Sequence, residues 1–197
     1  MTGQWPNVRV FTMSSPATRT AFARDVLRRF GRNRKGSAIV EFALVAPAFI
    51  ALLFAIFESA IMFFASQILE TVTQESARQI MTGQAQAAGY SATTFMTNVV
   101  CPQIPAVLSC ANIGVDVESD PTSFANIAVP TPVTSGAFDP TKLNFNMGAS
   151  CSDVTVTLYY QWQVFVLGFV PNIASLNGNK RLISATAVFR NEPYSGA

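Results

Sequence analysis

The chain contains 197 residues, of which 50% are hydrophobic and only 12% are charged, and it has no histidine. Charged residues make up about a quarter of an ordinary soluble domain, so this chain is too apolar to be one. Without histidine, catalysis by a histidine acid or base and metal binding by histidine are excluded.

Positive charge is concentrated at the start of the chain. Residues 1–35 contain eight basic residues against one acid, Asp25, a net charge of +7, whereas residues 37–197 carry five basic and ten acidic residues, a net charge of −5. The formal charge of +2 therefore averages two oppositely charged parts, which argues against a uniformly basic nucleic-acid binder. Met13 is an alternative start to Met1.

The basic segment also contains apolar residues at helical spacing. They are Phe22, Val26, Leu27 and Phe30. This pattern would allow a short helix to lie on an anionic membrane leaflet, and a flexible basic tail is the alternative.

An apolar run follows the basic segment. No residue between Phe42 and Phe57 is charged or strongly polar, and the run from Ala38 to Ala60 has 23 residues. As a helix it would measure about 34 Å, enough to cross a hydrocarbon core of about 30 Å. A cleaved secretory signal is disfavoured, because the basic region is too long, the apolar run exceeds about 15 residues and the run contains two carboxylates. The sequence therefore predicts a membrane-spanning helix.

The distribution of basic residues predicts the direction in which this helix crosses the membrane. Seven basic residues lie between Arg19 and Gly36, whereas Arg78 is the only one in the 30 positions after Ala60. Because Lys and Arg next to a membrane helix stay in the cytoplasm, we expect the N-terminus inside and the C-terminal two-thirds outside.

Small residues recur every four positions along the apolar run and predict a row on which another helix can pack closely. The row comprises Ala43, Pro47, Ala51, Ala55 and Ser59. The abundance of alanine is the competing explanation. At Pro47 we expect a bend or a frayed turn, because proline removes a backbone donor and crowds the preceding turn.

The helix is expected to continue beyond the membrane as a stalk. Four residues share one face of this extension, namely Leu69, Val72, Ser76 and Ile80. Glycine is a natural residue just after a helix end, so Gly83 predicts the end of a helix of about 45 residues.

A carboxylate near one end of the apolar run needs an explanation, since it costs about 2.5–3.5 kcal/mol at the membrane centre and less toward the interface. In the stretch RNRKGSAIVEFALVAP, Gly36 is followed by four residues, Glu41 and Phe42. This order resembles the cleavage motif of type IV-like prepilins of the Flp class. The resemblance implies cleavage by a membrane aspartyl peptidase between Gly36 and Ser37, after which the Glu41 carboxylate could pair with the new amine of a neighbouring subunit. A glutamate lying in the headgroups is the competing interpretation.

A wider resemblance extends beyond this motif. The stretch GSAIVEFALVAP, Glu58 and the segment from Ala77 to Gly83 are similar to the TadE-like family of the tight-adherence pilus machinery. The segment from Leu182 to Tyr194, LISATAVFRNEPY, is similar to a C-terminal signature of that family. Its members are regarded as minor pilins or pseudopilins, and the resemblance implies that role here. Residues 84–152 are only weakly matched.

Strand signals dominate the residues after Gly83. Apolar and polar residues alternate from Val154 to Val166, which predicts a strand with one buried face. Residues 113–119 and 182–190 are shorter strand candidates, the latter preceded by a turn at 177–180. Four prolines between Asp120 and Thr141 predict a long connection or a sheet edge.

These elements predict an α+β fold in which a small antiparallel sheet packs on the outer half of the long helix. The expected organisation is a basic cytoplasmic leader over 1–36, a transmembrane and stalk helix over 37–83, and an external α+β domain over 84–197. The last part is long enough for a small core of its own.

All three cysteines lie in the predicted external part, where disulfides persist. The spacing CPQIPAVLSC favours a pair between Cys101 and Cys110, although a pair between Cys110 and Cys151 stays open because sequence does not fix connectivity. A catalytic thiol and a zinc site are both disfavoured, since the chain has neither histidine nor a Cys-x-x-Cys motif.

Three acids fall on one side of the first predicted strand, namely Asp116, Glu118 and Asp120. They lack the loop spacing of a calcium site, so a solvated acidic face is the favoured interpretation.

Together these features predict a non-enzymatic, minor pilin-like protein of a Tad/Flp-type pilus, used in adhesion or secretion, with no cofactor. Its expected partners are the lipid bilayer, a prepilin peptidase, other pilin-like subunits and inner-membrane pilus assembly proteins. We expect it in the bacterial inner membrane with a periplasmic outer domain, retained there or incorporated into a surface pilus. The alternative is an unprocessed single-pass scaffold of the assembly platform. A membrane-tethered enzyme would require convergent carboxylates in a closed pocket.

Overall fold

The computed structural model describes residues 36–165 and 174–194, and it shows a long helix followed by a small α+β head. Helix α1 spans Ser37–Met81, and two short helices follow, α2 over Gln84–Ala87 and α3 over Ala92–Phe95. The strands are β1 (Ile113–Asp120), β2 (Val133–Thr134), β3 (Ala137–Phe138), β4 (Asp153–Gln163) and β5 (Lys180–Arg190). The predicted fold class is therefore confirmed. The basic segment, with its expected membrane-surface helix, lies outside the described residues.

Helix α1 has 45 residues and is long and apolar enough to cross a membrane. It continues through Pro47, so the turn there is not frayed. It ends at Met81, and Gly83 adopts a positive φ of 77° while its N–H donates to the carbonyl of Ile80 at 3.0 Å. Glycine adopts this backbone conformation without the strain that a Cβ would add, which explains the predicted helix end.

Exposure changes along α1. Large apolar side chains are exposed from Ile39 to Phe64. Farther along, the predicted stalk face is buried, with 0% exposure at Leu69, Ser76 and Ile80. Within α1, the earlier part thus presents its apolar surface outward, and the later part buries one stripe against the head.

The main sheet is antiparallel with strand order β1–β4–β5. Val156 in the central strand lies opposite Val117 of β1 and Ala187 of β5. The inward side chains of β4 join Leu69 and Ile80 in one hydrophobic core. This arrangement confirms that a small sheet packs on the C-terminal half of α1, as predicted.

The other face of β4 is also buried, which makes the prediction of a single buried face wrong. Thr155, Thr157 and Tyr159 are exposed by only 4%, 1% and 5%. The long connection before β4 covers them: the Tyr159 hydroxyl donates to the carbonyl of Pro130 at 3.0 Å, and the ring centroids of Tyr159 and Phe138 lie 6.2 Å apart. Threonine and tyrosine can fill such a site because each can satisfy its hydroxyl group by a hydrogen bond.

The segment between α1 and β1 is helical, which the strand-dominated prediction did not anticipate. Helix α3 begins with a capping box between Ser91 and Thr94, and a π-helical turn continues it over Met96–Val100. Phe95 and Val100 are fully buried in the core. Helices of four residues are stabilised by such burial rather than by their own propensity, and they are too short to show a period in the sequence.

By compactness the chain divides into two units, residues 1–49 and 50–197. The head, meaning the described residues from 84 onward, and the buried part of α1 belong to the second unit. All packing contacts given above lie within it.

Candidate processing and assembly site

The predicted processing point coincides with the start of α1. Gly36 directly precedes the helix, and Ser37 is its first residue. A Cβ atom added at Gly36 would meet nothing within 4 Å. The packing of the described residues therefore does not require glycine there, whereas an extended passage through a narrow protease cleft would favour it.

The predicted assembly motif lies in the first two turns of α1. Glu41 and Phe42 are the fifth and sixth residues of the helix, and both are exposed, Phe42 by 72%. Exposure of these side chains leaves them accessible to lipid or to a second helix.

The five residues of the small-residue row differ in solvent exposure. Ala43 and Pro47 are exposed, Ala51 is buried, and Ala55 and Ser59 are half-buried. The Ser59 hydroxyl donates to the carbonyl of Ala55 at 2.8 Å, one turn earlier. Close packing of another helix on this row remains a prediction, and the exposed residues Ala43 and Pro47 are the ones open to it.

A second carboxylate of α1 has a role that the sequence did not reveal. Glu58 is buried, with 6% exposure, and its Oε1 accepts a hydrogen bond from the main-chain N–H of Phe165 at 2.6 Å. An isolated acid in an apolar run is the signal that could have indicated a specific partner, because such a group rarely stays without one.

The two parts of the wider sequence resemblance meet at the end of α1. The Glu192 N–H donates to the carbonyl of Met81 at 2.9 Å. The ring of Tyr194 lies over Gly83, where an added Cβ would come within 2.6 Å of it. Asn191 secures this closure, because its side-chain amide donates to the carbonyls of Met147 and Ala149, each at 2.9 Å. The segment that follows β5 thus locks the helix end into the head.

The structure contains a disulfide between Cys101 and Cys110, whose Cα atoms lie 5.6 Å apart. This is the pairing that the spacing favoured, and the alternative with Cys110 bound to Cys151 is wrong. Cys151 is free and exposed.

The three acids of β1 do not form a solvated face, so that prediction is wrong. Asp116 is fully buried, its Oδ1 accepts from the Asn144 N–H at 2.8 Å, and its Oδ2 finds no donor within the described residues. Burial, with a smaller contribution from the charge of Glu118, raises the pKa of Asp116 to about 6. Hydrogen bonds from Thr122 and Ser123 lower the pKa of Asp120 to about 2, because they stabilise its charged form.

Residues 36–165 and 174–194 contain no visible cluster of metal ligands. No three His, Cys, Asp or Glu side chains converge there as metal ligands. A cavity of about 340 Å³ lies between α3, β1 and residues 140–145, and its lining has no ionisable side chain.

The fold and these sites define a class of protein, in which one long helix is apolar enough to cross a membrane and a small α+β head contains a disulfide. Residues 36–78 match the family model described as TadE-like protein. This match confirms the resemblance predicted from the sequence and indicates a protein related to the Tad pilus. It begins at Gly36 and ends before Gly83, so the C-terminal signature lies outside it. No curated protein and no solved structure matches the chain.

Proposed function

We propose that this chain is a minor pilin-like, or pseudopilin, component in the biogenesis of a Tad/Flp-type pilus, processed by a prepilin peptidase after Gly36. The observation that carries the proposal is a coincidence of boundaries. The basic segment ends at Lys35, the TadE-like match begins at Gly36 and helix α1 begins at Ser37, so the three boundaries fall at consecutive residues.

In this proposal the chain has three parts. Residues 1–36 are a cytoplasmic leader removed by the peptidase, 37–83 form the transmembrane and stalk helix, and 84–197 form the periplasmic domain. The basic leader would hold an uncleaved protein at the inner leaflet by about 1 kcal/mol per basic residue near the surface, which opposes extraction into a fibre. Cleavage removes that restraint and frees the Ser37 amine.

Glu41 is proposed to pair with the Ser37 amine of a neighbouring subunit. Both groups lie at the membrane face, where each alone bears a desolvation cost, and pairing offsets both costs. The partners on this view are other pilin-like subunits and the inner-membrane assembly proteins that bring them together.

The first test maps the N-terminus. The chain is isolated from membranes of cells with an active or an inactivated prepilin peptidase, and intact mass and N-terminal sequencing locate its first residue. An N-terminus at Ser37 that appears only with the active peptidase is expected, and Gly36→Leu should abolish it. A basic segment retained in both strains would overturn the processing and favour an uncleaved scaffold of the assembly platform.

The second test separates insertion from assembly. We expect Glu41→Ala to insert normally and to lose incorporation or pilus formation, as measured by membrane flotation and by recovery of sheared pili. Glu70→Ala is the matched control, since Glu70 is an exposed glutamate in the outer part of the same helix. Normal pili from the Glu41 variant would contradict the pairing.

A further inference from the structure

The point at which β4 leaves the sheet touches the apolar part of α1. The main-chain N–H of Phe165 donates to Glu58 Oε1 at 2.6 Å. The preceding residue, Val164, is buried with 3% exposure, whereas the Phe165 side chain is 74% exposed. A large aromatic side chain is thus directed outward from a position fixed against α1.

The contact with Glu58 lies within the part of α1 that has exposed apolar side chains. Exposed apolar side chains occur on the N-terminal side of Glu58, at Phe54 (59%) and Phe57 (62%), and on its C-terminal side, at Phe63 (73%) and Phe64 (57%). Phe165 therefore lies beside the stretch of α1 with exposed apolar side chains, called here the apolar belt, and not beyond its C-terminal end.

The hydrogen bond itself suits a site without water. A main-chain N–H that enters a hydrocarbon region needs an acceptor from the protein, and a carboxylate there needs a donor, because each group costs several kcal/mol when left unsatisfied. The Phe165 N–H finds its acceptor in Glu58 Oε1 at 2.6 Å, and Glu58 is only 6% exposed. Such a pair allows the head to approach the bilayer at this point.

We propose that the Phe165 side chain is a second membrane contact, which enters the outer hydrocarbon boundary beside α1 and packs against lipid acyl chains. The inference rests on the proposed membrane anchoring by α1. Lipid is the favoured occupant because Phe165 continues the apolar belt of α1, and because no charged residue occurs in the sequence between Asp153 and Lys180 to oppose entry. Two contacts, α1 and Phe165, would fix the depth and the rotation of the head at the bilayer surface.

The test uses the full chain in vesicles of phosphatidylcholine and phosphatidylglycerol. Cys151→Ser removes the free thiol, and Phe165→Cys introduces one for an environment-sensitive fluorophore. Quenching by lipids brominated on their acyl chains is compared with that of a matched site, Val188→Cys, since Val188 is an apolar residue of β5 with 57% exposure. We expect several-fold stronger quenching and a blue-shifted emission at position 165. Equal quenching at the two positions would overturn the inference.

The Glu58 contact is tested in the same system. Glu58→Gln keeps an oxygen acceptor for the Phe165 N–H and should retain the quenching at position 165, whereas Glu58→Ala should reduce it. Quenching that is unchanged in Glu58→Ala would overturn the positioning role of this contact. Vesicle flotation of each variant distinguishes membrane anchoring by α1 from the second contact at Phe165. A chain that does not float contradicts membrane anchoring itself, and a chain that floats without quenching at 165 contradicts only the second contact.

Discussion

Two parts of one helix, α1, place the same kind of side chain in different surroundings. Leu52 is 59% exposed, whereas Leu69, about five turns later, is fully buried in the core that α1 shares with the sheet. The sequences differ in a matching way. Between Phe42 and Phe57 the helix is apolar on every side, and from Leu69 onward it is apolar along one stripe with glutamates and glutamines elsewhere. A helix that is apolar on every side is suited to be surrounded by lipid, whereas a helix with one apolar stripe packs that stripe against protein.

Truncation of both leucines tests this difference in surroundings and has the largest expected effect. Leu69→Ala should lower the free energy of unfolding of the head by about 2–5 kcal/mol, because it leaves a cavity in a packed core. Leu52→Ala should change it by less than about 0.5 kcal/mol, because lipid fills the space. Denaturation of the full chain in detergent micelles, followed by near-ultraviolet circular dichroism, measures both. Equal losses would show that the two parts of α1 share one environment.

An introduced arginine tests the same difference between the two parts of α1 during membrane insertion. Leu52→Arg should weaken insertion by about 2.5–3.5 kcal/mol, because the guanidinium must leave water near the helix centre. Thr71→Arg, at an exposed position of the outer part, should leave insertion unchanged. The fraction that remains with membranes after an alkaline wash reports the difference. Full retention of Leu52→Arg together with loss of Thr71→Arg would place the span elsewhere along α1.

The head contains an acid whose pKa is changed by burial, namely Asp116. The pKa of Asp116 is raised from 3.8 to about 6, so the folded state binds a proton more readily than the unfolded state. Stability should therefore fall as the pH rises from about 4 through 6, by roughly 1–3 kcal/mol in total. Asp116→Asn should remove this loss, so that it is more stable than the wild type at pH 7.5 and similar to it at pH 4. Thermal unfolding at both pH values tests this, with exposed Glu70→Gln as the control. A benefit that is the same at both pH values would point to packing instead of charge.

Local patterns predicted the elements that depend on local rules. The apolar run and Gly83 located α1 to within two residues of its end, alternation located β4, and close spacing paired Cys101 with Cys110. In each case the determining interactions lie within one turn, one strand or one short loop.

The wrong predictions of exposure involve cover from distant parts of the chain. Thr157 and Asp116 have the composition of exposed positions, and they are buried because the connection between β1 and β4 folds back over the sheet. Nothing near these residues in sequence encodes that return. The same holds for Glu58, whose partner Phe165 is 107 residues away.

The contacts that close the end of α1 determine when the head can finish folding during synthesis. Met81 and Gly83 are held by Glu192 and Tyr194, which are translated after the strands of the head. At a synthesis rate of about 5–20 residues per second, the stripe of α1 waits roughly 5–20 seconds for the strands and the closing segment that cover it. During that interval the nascent chain contains α1 but not the closing segment, so the stripe of α1 stays uncovered until residues 191–194 have been translated.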